Sequence, residues 1–334
     1  AVLQPGDIVI LRSTVIVGTT RNRVIPALEM QSGLVVGQDI EVGFAPERTI
    51  EGRAIEELRT LPQIVSATTE AGTKKISEFF SCVSELVVPV DTLEASEMVK
   101  LISNAHRDLS FAFANSVALA SAEHNVDVGQ LIGAANQGYE RNRIPLPSPG
   151  VGGYCLTKDP YLFAQGAAGN ESIYNLVHAG REIHAQMPRH ISQVVKSFAQ
   201  KFPTTEPLKV AIVGLAFKGE PATSDVRFSP SIELVKHLQT EPGYTVSAYD
   251  PHVQEVVYDT HNITKLEHLT EVLEKGDVII FMHGAKDYAE QAVVASLAKR
   301  AGTQLLIDTW GLFKEQLQDR PEGVEYANLS YKSF

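Results

Sequence analysis

Over the first ninety residues, short apolar blocks alternate with amphipathic stretches. Ile8-Val9-Ile10-Leu11 reads as a strand that ends at Arg12-Ser13-Thr14, and Thr19 to Met30 reads as a helix. Ile40 to Phe44 is a short strand followed by Ala45-Pro46-Glu47-Arg48; Gln63 to Ala67 and Glu85 to Val90 are further strands, with a helix from Ala71 to Cys82 between them. Thr14 and Glu47 therefore fall just past strand C-termini, the edge at which open α/β sheets take ligands, although loop residues of no special role occupy such places too. The chain opens on a turn, Gln4-Pro5-Gly6-Asp7, with almost no lead-in to its first strand, as if in mid-domain.

The pattern then changes to long helical periodicity. Asp91-Thr92-Leu93-Glu94 fits a capping box with Asp91 as the cap and Glu94 three positions on. A helix from there to about His124 would be about 50 Å long at 1.5 Å per residue. Met98, Leu101, Ile102, Leu109, Phe113, Val117 and Leu119 form its apolar face, and small residues (Ala105, Ala112, Ala114, Ala118, Ala120, Ala122) suggest close packing across a dimer axis. Lys100 and Asn104 are four apart and share a helix face, with Glu97 near enough to make Lys100 an ordinary solvated ion pair. Val126 to Asn136 is a second helix, Tyr161 to Ala168 a third, and an amphipathic stretch from Ile173 to Phe198 a fourth with a break expected at Pro188. His178, His184 and His190 lack metal-ligand spacing and read as surface or cap residues.

After the linker Lys201-Phe202-Pro203-Thr204-Thr205-Glu206-Pro207 the strand pattern returns. Lys209 to Gly214 reads as a buried parallel strand, Ser229-Pro230 starts a helix with serine as cap, and Tyr244 to Tyr249, Asp277 to Met282 and Gln304 to Ile307 are strands. This half reads as a small Rossmann-like sheet. No Gly-x-Gly-x-x-Gly occurs anywhere; Gly214-Leu215-Ala216-Phe217-Lys218-Gly219 carries a lysine in the turn instead. With Arg227 nearby, that loop suits a phosphate, though surface cations would look the same.

Composition narrows the class. With 334 residues, 44% of them hydrophobic, there is material for two globular domains. A net charge of −11 argues against nucleic acid or an anionic membrane as partner, so cations that bind an anionic ligand must be concentrated locally. Two cysteines far apart, Cys82 and Cys155, make no disulfide framework and fit a reducing, cytoplasmic setting. No apolar run reaches transmembrane length and no signal peptide is visible.

The densest chemistry lies in Pro149-Gly150-Val151-Gly152-Gly153-Tyr154-Cys155-Leu156-Thr157-Lys158-Asp159-Pro160. Glycines allow backbone and ligand to approach closely, and a cysteine beside a cation is a candidate nucleophile. A tight turn carrying a small buried cysteine fits the same letters. The stiff segment Arg141-Asn142-Arg143-Ile144-Pro145-Leu146-Pro147 presents two arginines just ahead of it.

Several of these marks, in this order, resemble the UDP-glucose/GDP-mannose dehydrogenase family of NAD-dependent nucleotide-sugar 6-dehydrogenases. They are Arg12-Ser13-Thr14-Val15, Pro46-Glu47 with Glu51-Gly52, Glu97 to Asn104, Gly152 to Asp159, Gly214 to Lys218, and Asp225 to Pro230. Asn104 to Asp108 with Ala114-Asn115 looks most like the UDP-N-acetylmannosamine branch, whereas Lys158 before Asp159 looks like the UDP-glucose enzymes. The resemblance implies an α/β protein of two Rossmann-like parallel-sheet domains, the first truncated, joined by a long central helix and a helical region. Residues 1–91 would be the remainder of an NAD-binding domain lacking its N-terminal glycine-loop segment. Residues 92–200 would be a dimerising and catalytic region, and residues 207–334 a UDP-sugar-binding domain.

The same resemblance implies the roles. Cys155 would add to a sugar aldehyde at C6 and carry it as a thiohemiacetal and then a thioester. Lys100 and Asn104 would stabilise the oxyanion, Asp159 would relay a proton, and Glu47 and Thr14 would orient the hydrolytic water. Thr14, Glu51 and Lys158 would contact NAD; Glu47, Arg48, Lys100, Asn104, Gly152 and Gly153 would line the sugar site, with Arg143 reaching across a homodimer or larger homo-oligomer. Lys218 and Arg227 would hold the UDP diphosphate. Cys155→Ser is expected to stop net acid formation. Two other readings compete: a catalytically silent nucleotide-sugar binder, and a hydroxyacid-type dehydrogenase, whose chemistry needs no thiol.

Overall fold

The computed structural model describes residues 3–141, 143–284, 288, 302–317 and 320–331. The chain divides into two units, residues 1–107 with 158–178, and residues 108–157 with 179–334.

In the first unit, β1 (Ile8–Leu11), β2 (Glu41–Phe44), β3 (Gln63–Ala67) and β4 (Val87–Pro89) form a sheet in that order. It is mixed, not all parallel: β1 pairs parallel with β2 and β3 with β4, but β2 runs antiparallel to β3. The two residues of overlap, Gly43 against Ala67 and Phe44 against Ser66, are too few to register as an alternating sequence pattern. A π-helical turn (Thr20–Val24) leads into α1 (Ile25–Ser32), and α2 (Ala54–Thr60) and α3 (Glu70–Ser81) follow. Thr69 caps α3 by accepting the Gly72 N–H, and Ile76 and Phe80 of α3 pack with Ala45, Val65 and Ala67 on the sheet.

α4 spans Leu93–Glu123, within a residue of the expected end, but its cap differs. The Thr92 hydroxyl, not Asp91, accepts the Ala95 N–H, at 3.1 Å. Glu94 does not reach back to the cap but pairs with Arg21, 2.6 Å away. Five of the six small residues named for its seam, Ala105, Ala112, Ala114, Ala118 and Ala122, are buried within this chain; Ala120 is exposed, as are Met98, Ile102 and Phe113. α5 is Val128–Asn136. α6 begins at Tyr154, before Cys155, and runs to Gly166 with Pro160 inside it; α7 (Glu171–Lys201) is continuous through Pro188. A proline in a helix removes one backbone bond, and these helices continue past it.

The second unit holds an all-parallel six-stranded sheet of β5 (Leu208–Val213), β6 (Tyr244–Tyr249), β7 (Thr264–Lys265), β8 (Val278–Phe281), β9 (Gln304–Asp308) and β10 (Val324–Ala327). Its order is β10-β9-β8-β5-β6-β7, with the chain reversing direction across the sheet between β5 and β8. The pleat sends Val210, Ile212, Val278, Ile280, Leu305 and Ile307 into a core shared with α7 and α8 (Pro230–Gln239). Ala211, Val213, Ile279, Phe281 and Leu306 point into the opposite core with Leu273, Phe313 and Leu317. Ser229 caps α8 with Pro230 at its first position, as the sequence predicts. His184 and His190 are buried, against expectation: His184 bonds Asp108 and Asn115, and His190 bonds the Leu329 carbonyl at 3.0 Å. Among the described residues no helix is long and apolar enough to cross a membrane.

The corrected cap is testable. Thr92→Ala is expected to lower unfolding free energy by about 1 kcal/mol in urea melts, the ordinary worth of a threonine cap. Asp91→Ala is expected to leave it unchanged; the reverse pattern would restore the capping box.

Candidate active site

In the first unit the candidate residues meet past the ends of β1 and β2. Arg12, which follows β1, donates from Nη2 to Glu47 Oε2 at 2.6 Å. Glu47 Oε1 accepts the Arg48 and Thr49 N–H groups, both at 2.9 Å. Half-burial pushes the Glu47 carboxyl up, but the Thr49 donors and the Arg12 guanidinium outweigh it, and the net displacement is below the usual carboxylate range. Arg12 was not among the residues predicted for the site; it stands inside a quoted motif, but its partner is thirty-five residues away in sequence.

Lys100, on α4, donates to the Glu47 main-chain carbonyl. The ion pair with Glu97 that its spacing allowed gives way to another arrangement. Glu97 is 2% exposed and accepts the Gly18 N–H, the Thr20 N–H at 2.8 Å and the Thr20 hydroxyl. The donors at the start of that helical turn are thus taken by the chain's own carboxylate. One turn beyond Lys100, Asn104 donates to Asp159 Oδ2 at 2.7 Å, and Lys158 pairs with Asp159 Oδ1 at 2.9 Å. Asp159 is fully buried. Thr14 is half-buried beyond β1, Arg48 reaches the Pro62 carbonyl at 3.4 Å, and Glu51 is exposed in a turn. α4 thus makes two separate contacts one turn apart, Lys100 with the Glu47 carbonyl and Asn104 with the Asp159 carboxylate that also takes Lys158; Arg48 joins the first through its N–H on Glu47 Oε1.

In the second unit the glycine loop docks on the loop after β5. A Cβ on Gly152 would lie 2.4 Å from the Phe228 carbonyl oxygen and 2.9 Å from Pro230 Cδ. At Gly153, whose φ of +80° already favours glycine, it would lie 2.7 Å from the Phe217 ring. The Gly153 N–H donates to the Arg227 carbonyl at 3.1 Å, and the Arg227 guanidinium lies 5.3 Å from the centre of the Tyr154 ring. Phe228 itself holds a left-handed backbone, φ +55°. These contacts place the glycine loop against the segment that carries Lys218 and Arg227. Lys218 lies 5.6 Å from the Phe217 ring centre, and Arg227 is bonded to Asp225 through Nε and Nη2 at 2.7–3.0 Å.

Cys155 is exposed in the first turn of α6, and Asp159 follows one helical turn later. The reading of a buried cysteine in a tight turn is thereby excluded. Cys82 is also free and exposed. Arg143 is exposed on the segment after α5, which Asn136 pins by bonding the Ile144 N–H and carbonyl at 2.9 and 2.8 Å; Asn142 lies outside the described residues.

Comparison with known proteins agrees along the chain. Residues 1–84 match the NAD binding domain of the UDP-glucose/GDP-mannose dehydrogenase family, residues 94–186 its central domain and residues 211–315 its UDP binding domain. The expectation of a chain without that first domain's defining portion is not upheld, since the NAD binding domain is recognised at residues 1–84. The UDP-N-acetyl-D-mannosamine dehydrogenase of Pyrococcus horikoshii is 31% identical over 318 residues, covering 94% of this chain and 71% of that protein. The NDP-N-acetyl-D-galactosaminuronic acid dehydrogenase of Ralstonia solanacearum is 30% identical over 93% of this chain and 72% of its own length. The solved structure of the P. horikoshii UDP-D-ManNAc dehydrogenase superposes with a TM-score of 0.83 at 27% identity, covering 100% of this chain and 75% of that one. With all three domains matched in order, the α/β fold shared and a relative aligned along most of both lengths, the chain belongs to the UDP-glucose/GDP-mannose dehydrogenase family, whose members are NAD-dependent nucleotide-sugar dehydrogenases.

Proposed function

We propose that this protein oxidises C6 of a UDP-N-acetylhexosamine, UDP-N-acetylmannosamine or a close relative, from alcohol to carboxylate, with Cys155 as covalent nucleophile. The supporting observation is the docking of the Cys155-bearing loop on the loop of Lys218 and Arg227, at two glycines where a side chain would collide. Relatives that act on N-acetylated sugars favour that substrate class over UDP-glucose.

Two NAD molecules, bound in succession, would each accept one hydride. With the Gly18 and Thr20 donors occupied by Glu97, the edge that suits NAD is the one beyond β1 and β2, and we assign Thr14, Glu51 and Lys158 to its contacts. The residues of this chain do the remaining work. The Cys155 thiolate adds to the C6 aldehyde, forming a C–S bond and an alkoxide; loss of hydride from that thiohemiacetal leaves a thioester. The first turn of a helix points unpaired N–H groups outward, which suits the negative charge developing there. Lys100 and Asn104 stabilise the alkoxide, Asp159 takes and returns the proton, and Glu47 with Thr14 orients the water that cleaves the thioester. Lys218 and Arg227 hold the diphosphate, Gly152 and Gly153 let the sugar approach the backbone, and Arg48 and Arg143 complete the sugar site, Arg143 from a second copy of the chain. Residues 1–91, 92–200 and 207–334 serve respectively as cofactor, catalytic-dimerising and nucleotide-sugar domains. The exposed Met98, Ile102 and Phe113 of α4 are the surface proposed for dimer contact. The uronic acid product suits a cytoplasmic role in polysaccharide precursor synthesis.

Three outcomes follow. Cys155→Ser is expected to bind UDP-N-acetylmannosamine in titration calorimetry but to yield no uronic acid; acid formation at the wild-type rate would remove the cysteine from the mechanism. Lys100→Ala is expected to lower kcat by about a hundredfold, the scale of losing an oxyanion donor, with little change in nucleotide-sugar affinity. Equal losses in both would leave Lys100 a structural contact. Arg12→Met takes away a group that keeps Glu47 charged, so Glu47 protonates at higher pH and the acid limb of the kcat profile moves upward. An unmoved limb would show that Glu47 does not orient the water.

A further inference from the structure

Behind the glycine loop lies a buried polar cluster that the proposed mechanism does not use. Asp108 and Asn115 of α4 are fully buried, and His184 of α7 is 2% exposed. Arg181, also on α7, donates from Nη1 to Asp108 Oδ1 at 2.7 Å and from Nη2 to the Val151 carbonyl at 2.9 Å. Asn115 Oδ1 accepts the Ser148 N–H at 2.8 Å, which fixes which way the amide faces. Its NH₂ group therefore donates to His184 Nδ1, 3.1 Å away, and the imidazole proton sits on Nε2, 3.1 Å from the Asp108 carbonyl. The Ser148 hydroxyl closes the set on the Gly150 carbonyl at 3.2 Å. Pro188 has no N–H to give the His184 carbonyl in the helix, and it is that carbonyl which a Cβ on Gly150 would approach to 3.1 Å.

We infer that Arg181 and Asn115 are positioning residues for Cys155. They grip two main-chain groups of the segment before it, the Val151 carbonyl and the Ser148 N–H, and so hold the loop from behind. The glycines meet Phe217 and Phe228 on their other contacts. A guanidinium can serve a carboxylate and a carbonyl with separate nitrogens of one rigid plane; a lysine ammonium has no such fork. The inference builds on Cys155 as nucleophile only for its catalytic consequence. The grip on the loop is measurable by itself.

The test uses the full chain with Cys82→Ser, which leaves Cys155 as its remaining cysteine. Two quantities are read: amide hydrogen exchange of the 145–156 segment, and the rate at which iodoacetamide alkylates Cys155. In Arg181→Gln the segment is expected to exchange about tenfold faster, the scale of one lost charge-assisted hydrogen bond, with the alkylation rate displaced and β5 and β8 still protected. Arg181→Lys is expected to fall between. Because Arg181→Gln strands a buried carboxylate and can prevent folding, Asn115→Ala serves as the second variant, with faster exchange confined to the same segment. With NAD and UDP-N-acetylmannosamine, kcat is expected to fall in both variants while KM stays near the wild-type value. Wild-type exchange and alkylation in Asn115→Ala and in any folded Arg181 variant would overturn the inference, as would loosening spread equally to β5 and β8. Acid formation by Cys155→Ser would instead remove the nucleophile and leave the exchange result to decide the grip.

Discussion

A glycine with nowhere to put a side chain governs the setting of Cys155. At Gly152 the backbone lies so close to the Phe228 carbonyl that one added carbon would sit 2.4 Å from it. At Gly153 the Phe217 ring fills the same space, and the Gly153 N–H closes on the Arg227 carbonyl. Two loops more than sixty residues apart are thus held face to face by main-chain contact, and α6 starts with Cys155 in its first turn directly after that contact. Any ligand that engages Lys218 or Arg227 acts on a segment already touching the loop of the thiol. The left-handed Phe228, an unfavourable conformation for an aromatic residue, belongs to the same junction.

The first unit supplies a different kind of order, through charge. Glu47 is the hub: its carboxylate takes Arg12 and two backbone N–H groups, and its main-chain carbonyl takes Lys100. Asp159 gathers Asn104 and Lys158. Each ionised group has a specific partner, which fixes side chains that would otherwise sample many rotamers. Glu97 shows the reverse use of a carboxylate: by satisfying the donors at residues 18–20 it closes a helix start that could otherwise receive an anion.

Much of this was legible in the sequence, and what was not has physical reasons. The strands β5, β6, β8 and β9 and the Ser229-Pro230 helix start stood out because apolar runs and cap chemistry are local, whereas the edge strands β7 and β10, of two and four residues, were not read. Helix was expected only from Tyr161 onward, after the glycine-rich stretch; it starts instead at Tyr154, with Cys155 in its first turn, and runs through Pro160. The break expected at Pro188 does not occur, because α7 continues past the one backbone bond that the proline removes. The cap of α4 was misplaced by one residue because Asp91 and Thr92 both qualify and only geometry chooses. Histidines 184 and 190 looked superficial because burial of a polar ring depends on partners from other helices and loops, which no local pattern shows. The Arg12–Glu47 and Arg181–Asp108 pairs were invisible for that reason too.

The account stands or falls on a covalent bond to the Cys155 sulfur. Its most direct test is acid quenching during turnover with NAD and UDP-N-acetylmannosamine, followed by proteolysis and mass measurement of the cysteine peptides. A transient uronyl adduct on the peptide carrying Cys155, and none on that carrying Cys82, is the predicted result. Acid product accumulating with the Cys155 peptide unmodified at every time point would contradict it.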